Sequence, residues 1–113
     1  MKMEGVDVPP ERENFTFTED RLATFIGWPV GLAQTPSLLA EAGFIYQGFG
    51  DMVLCYSCRT HLCAWQADDC VWTEHIVHSK GHCMFLKTVR TDESMQKVIE
   101  KASQNQIFFV IPE

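Results

Sequence analysis

From Phe15 onward the apolar positions recur at helical spacing: Leu22, Phe25 and Ile26 share one face, Thr18 is placed as an N-cap, and Phe17 and Leu22 are spaced as a hydrophobic staple. This predicts a short helix that ends before Trp28-Pro29. A second helix is signalled by Thr35 as N-cap, Pro36 at the first helical position, Leu38-Leu39-Ala40 inside and Gly43 just past the end. Phe44-Ile45-Tyr46 and Met52-Val53-Leu54 then read as two short strands joined by Gly48-Phe49-Gly50-Asp51, with a third strand around Leu62-Cys63-Ala64. A helix carrying Trp72, His75 and Ile76 follows. Met95, Val98, Ile99 and Ala102 place an apolar stripe on a last helix of about 12 residues, and Ile107-Phe108-Phe109-Val110-Ile111 reads as an apolar run able to pack as a strand. The three strands would complete a small antiparallel sheet.

The first residues lack this periodicity, and Pro9-Pro10 with four acidic side chains predicts a mobile tail over 1–14. A domain over 15–90 and a C-terminal segment over 91–113, an amphipathic helix followed by the apolar tail, complete the expected organisation. The chain has 113 residues, 46% of them hydrophobic, which suits one globular domain. Nine basic against fifteen acidic side chains give a net charge of −6, which opposes binding to a phosphate backbone. No stretch is apolar and long enough to span a bilayer, and the first residues hold no signal-peptide core. The expectation is a cytoplasmic or nuclear protein with no nucleic-acid or membrane partner.

All five Cys and all four His lie between Cys55 and Cys83. An odd number of thiols in a reducing compartment points to metal ligation rather than to disulfides. Cys55, Cys58, His75 and Cys83 follow a C-x2-C-x16-H-x7-C spacing, and three thiolates with one imidazole fill a tetrahedral zinc shell. A closed shell is structural, so a zinc enzyme is disfavoured. His82 is the alternative fourth ligand; Cys83 is favoured because Met84-Phe85-Leu86 follows it and anchors it in a core. By spacing alone, Cys63 and Cys70 read as small buried hydrophobes, and His61 and His78 as surface or capping residues.

These motifs resemble the BIR domain, the repeat of the inhibitor-of-apoptosis proteins, over roughly Phe15 to Arg90. The resemblance runs through Arg21-Leu22-Ala23-Thr24-Phe25, Trp28-Pro29, Leu39 to Tyr46, Gly48, Gly50-Asp51 and Val53 to Cys58. It continues through Leu62 with Trp65, Asp69 with Trp72, Glu74-His75 and Cys83 to Leu86. It implies a small zinc-stabilised α+β fold, a three-stranded antiparallel sheet flanked by short helices, with one structural Zn2+ and a structural, hydrogen-bonding Arg21. It also implies a surface groove for peptides with a free N-terminal alanine, formed by His61, Leu62, Cys63, Trp65, Asp69, Glu74 and His78. Asp69 and Glu74 would meet the ammonium, Trp65 an apolar side chain, and the His61 to Cys63 edge an added strand. The partners so implied are caspases or antagonists of these inhibitors. A survivin-like chromosomal adaptor that reads a histone N-terminus is the alternative, against which the compact hairpin and short final helix weigh. Self-association through the C-terminal tail is a further expectation. Two departures stand out: seven residues rather than the family's usual six separate His75 from Cys83, and Arg59 replaces the usual Gly after the knuckle.

Overall fold

The structure, a computed structural model, describes the backbone of residues 14–110 and the side chains of residues 15–103. The expected tail over 1–14 therefore falls almost wholly outside the described residues. After a single 3-10 turn (Asn14–Thr16) come α1 (Thr18–Leu22), α2 (Pro36–Glu41), β1 (Phe44–Tyr46), β2 (Val53–Cys55), β3 (His61–Leu62), α3 (Val71–Ser79), α4 (Met84–Val89) and α5 (Asp92–Val110).

The first helix departs from its apolar pattern. Phe17, not Thr18, is the N-cap residue, the helix stops at Leu22, and Leu22 and Ile26 are exposed. The inward residue is instead Arg21, 1% exposed, which donates from Nε to Ala40 O at 2.7 Å, from Nη1 to Phe15 O at 2.6 Å and from Nη2 to Thr18 Oγ1 at 3.2 Å. Its guanidinium also lies 5.0 Å from the Tyr56 ring centroid and 5.1 Å from that of Phe85. A buried cation persists only when its donors are satisfied, and here the planar fork joins α1 to α2.

The second helix is as expected: Thr35 Oγ1 accepts from Leu38 N–H at 3.3 Å and Pro36 occupies the first turn. Gly43 then adopts φ +99°, where a Cβ would come within 2.9 Å of the Phe85 ring. Only glycine fits this turn, which delivers the chain directly into β1.

The sheet order is β1-β2-β3, antiparallel, pairing Phe44 with Cys55 and Val53 with Leu62. The central strand β2 is buried throughout. Thr24 closes the outer edge of β1, since its Oγ1 accepts from Tyr46 N–H at 2.9 Å. β3 is shorter than expected and ends at Leu62, because Ala64 turns left-handed at φ 59°. Leu39, Phe44, Val53, Ile76 and Leu86 form the centre of the core, and Met95 brings α5 onto it.

The extra residue between His75 and Cys83 is absorbed at the end of α3. Lys80 (φ 57°) and Gly81 (φ 75°) are both left-handed, and Gly81 N–H bonds Ile76 O at 3.0 Å, a Schellman closure that satisfies the last carbonyls. Arg59 also holds a left-handed φ of 68°, where a Cβ costs about 1 kcal/mol. The final helix corrects the sequence expectation most. α5 has 19 residues rather than about 12, and residues 107–110 continue it instead of forming a strand. The side chains of that run, and Ile111 itself, lie outside what is described.

Candidate functional site

The C-x2-C knuckle follows the end of β2, where Ser57 N–H and Cys58 N–H point at Cys55 Sγ from 3.3 and 3.5 Å. α3 contributes His75 and the start of α4 contributes Cys83, both buried. The donor atoms of Cys55, Cys58, His75 and Cys83 all lie within 4.8 Å of one another. Cys55 Sγ and Cys83 Sγ are 3.7 Å apart, and Cys58 Sγ and His75 Nε2 are 3.6 Å apart. These two opposite edges match a regular tetrahedron whose centre lies about 2.3 Å from each corner, the length of a zinc–sulfur bond. The cluster fits one structural zinc with every position filled by protein. His82 is exposed and outside the cluster, which leaves Cys83 as the fourth donor.

Electrostatics within the cluster follow from crowding of thiols. Hydrogen bonds with Cys58 and Cys83 raise the Cys55 thiol, and the same contacts with Cys55 lower Cys58 and Cys83. Burial alone would lower His75, but hydrogen bonds with Cys58 and Cys83 outweigh it and raise the imidazole to about 9. Without metal, Cys55 and His75 are thus the groups that keep protons, which zinc must displace.

A second feature lies on the far side of the sheet from Thr24. His61, Leu62, Cys63, Trp65, Asp69, Glu74 and His78 line one surface cavity of about 260 Å³. All seven residues expected in the groove are thereby brought together. Trp65 is largely buried and edge-on to Phe44, with ring centroids 6.4 Å apart. Glu74 Oε1 is 3.2 Å from His78 Nε2, one turn away on α3. Asp69 Oδ2 accepts from Gln66 N–H at 2.8 Å, which leaves its Oδ1 without a partner among the described residues. Cys55 N–H donates to Thr60 O at 2.9 Å; by the alternation of an antiparallel ladder, the backbone groups of His61 and Cys63 then face away from β2.

Cys63 and Cys70 are both exposed and not buried as expected. Cys63 sits on the outward edge beyond β3, and Cys70 is the residue before α3, where its thiol is lowered chiefly by a hydrogen bond with the Thr73 side chain. Two residues not expected in the groove also shape the cavity. Asp51 accepts from Ala64 N–H and Trp65 N–H, each at 2.9 Å, and Gln34 reaches the same loop from below its other end.

The family model for the BIR, or Inhibitor of Apoptosis, domain matches residues 21–87. This chain belongs to the BIR family. The BIR domain is a protein-interaction module, and the relatives carry inhibitor-of-apoptosis names. The chain is 40% identical over 82 residues to the E3 ubiquitin-protein ligase IAP-3 of Orgyia pseudotsugata multicapsid polyhedrosis virus, covering 73% of this chain and 30% of the relative. It is 34% identical over 96 residues to Death-associated inhibitor of apoptosis 2 of Drosophila melanogaster, covering 85% of this chain and 19% of the relative. The chain therefore spans less than a third of either. Among solved structures, DIAP1 BIR1 bound to a Grim peptide superposes with a TM-score of 0.60 at 27% identity, over 75% of this chain and 92% of that one.

Proposed function

We propose that this BIR domain is an apoptosis-regulating interaction module whose groove takes the free N-terminal alanine of caspases or of inhibitor-of-apoptosis antagonists. The observation that carries the reading is the cavity itself, in which two carboxylates, an indole and an open strand edge converge. An α-ammonium is charged at neutral pH and needs an anionic partner when partly desolvated; Asp69 supplies it, with Glu74 in support. The methyl group of alanine fits beside Trp65, and the next residues extend β3 along His61 and Cys63. The four-donor zinc leaves no position for a substrate, so the module acts by binding and not by catalysis. The solved neighbour, described as bound to a Grim peptide, supports this ligand class. Its place of action is the cytoplasm.

A survivin-like adaptor that reads a histone N-terminus, acting in the nucleus, is the second reading. It gains from the 19 residues of α5, because the short final helix expected from the sequence was an argument against it. Titration with Ala-initiated and Leu-initiated peptides tests the primary reading: the Ala peptide binds at least about tenfold more tightly, and equal affinities contradict it. Preference for a phosphorylated histone tail over both would select the adaptor. We further propose self-association through the C-terminal tail, for which sedimentation at increasing concentration shows a rising apparent mass; a constant monomer mass contradicts it.

A further inference from the structure

Gln34 is 2% exposed and fixed at both ends. Its main-chain carbonyl oxygen accepts from the Trp28 indole N–H at 3.0 Å. Its side-chain Nε2 faces two backbone carbonyls, Gln66 O at 2.7 Å and Asp69 O at 3.0 Å. Both carbonyls only accept, so the amide orientation is determined: both N–H bonds of the carboxamide are spent on this loop. The consequence is that Gln34 Oε1 is buried with no partner among the described residues. A residue chosen only to fill this space would be apolar and would avoid a stranded acceptor.

The geometry points to a positioning role: Gln34 clamps the Gln66–Asp69 turn from beneath and so fixes the spacing of Trp65 and Asp69 across the peptide groove. The inference rests on reading that cavity as the groove. Asp69 N–H also bonds Gln66 O at 3.0 Å, and Asp69 Oδ2 accepts from Gln66 N–H, so the carbonyls tied by Gln34 are the two ends of one tight turn. Asp51 holds the preceding residues, Ala64 and Trp65, through their N–H groups. With both ends held, the free Oδ1 of Asp69 is presented to an incoming ammonium without ordering a loop first, which is where preorganised sites gain affinity. Gln66, Ala67 and Asp68 are exposed, so water can satisfy the turn if Gln34 lets go. Loss of the clamp is therefore expected to loosen the groove and leave the fold intact.

The test is Gln34→Met, close in volume but without donors, in the zinc-loaded chain. Zinc content stays unchanged, amide exchange at Gln66 to Cys70 rises, the Trp65 indole N–H resonance shifts, and an Ala-initiated peptide binds about tenfold more weakly through faster dissociation. Unchanged exchange at 66–70, or unchanged peptide affinity with exchange raised, overturns the inference. Should the variant fail to fold, the wild-type chain decides: both side-chain amide protons of Gln34 are expected to exchange slowly, and fast exchange overturns the clamp. A wild-type chain that binds no Ala-initiated peptide refutes the functional reading and with it the groove role, while the exchange data report the clamp separately.

Discussion

The ring of His75 donates from Nδ1 to the carbonyl oxygen of Ala42 across 2.8 Å. A carbonyl can only accept, so the proton sits on Nδ1 and the Nε2 lone pair is directed to the metal when zinc is bound. The bond joins α3 to the end of α2, while the thiolates of Cys55 and Cys58 come from the end of β2 and its knuckle. Zinc at this point ties helix, helix end and sheet together. Structural zinc contributes on the order of 10 kcal/mol in small modules, and Cys58→Ala is expected to lose metal and unfold, read by zinc content and circular dichroism. His82→Ala, by contrast, keeps about one zinc per chain. A folded, metal-free Cys58→Ala protein would contradict this assignment.

Zinc and protons compete for the cluster, and the direction follows from His75. Within the folded cluster the neighbouring thiols hold the His75 proton up to about 9. Zinc needs the deprotonated ring. Apparent zinc affinity therefore rises with pH from neutrality towards 9. Competition with a chelator at several pH values measures it; a flat profile would contradict it.

Arg21 is predicted to be irreplaceable by lysine. An ammonium cannot reach Ala40 O, Phe15 O and Thr18 Oγ1 from one plane while also lying against the Tyr56 and Phe85 rings. Arg21→Lys should cost about 2 kcal/mol or more in urea unfolding of the zinc-loaded chain. A change near zero would show that the fork does not hold the helices.

Much of this architecture is legible in the sequence where the signal is local. Thr35, Pro36 and Gly43 bracket α2 because caps and positive φ select particular residues, and the four zinc ligands are legible because metal chemistry limits them to thiolate and imidazole at set spacings. Signals that depend on tertiary contact are not. The buried residue of α1 is an arginine, which an apolar pattern skips in favour of Leu22 and Ile26. β3 stops early where Ala64 turns left-handed with its N–H held by Asp51, a contact distant in sequence. Residues 107–110 show why a short apolar run does not separate helix from strand. Gln34 looks like any polar residue before an N-cap.

Asp69 is the residue on which peptide recognition should depend most. Asp69→Ala removes the anion and also the carboxylate that caps Gln66 N–H, so affinity for an Ala-initiated peptide is expected to fall at least about tenfold. Zinc content is expected to stay unchanged, because Asp69 is not among the four donors. Full affinity in this variant would place the ammonium elsewhere.

The central claim is that the groove reads a free amino terminus. The most direct measurement is calorimetric titration of one Ala-initiated peptide, free and N-acetylated, into the zinc-loaded chain. Acetylation removes the charge that Asp69 and Glu74 are arranged to meet and adds bulk beside Trp65. The free peptide is expected to bind at least about tenfold more tightly, about 1.4 kcal/mol, and equal affinity for the two, or binding of neither, would contradict the account.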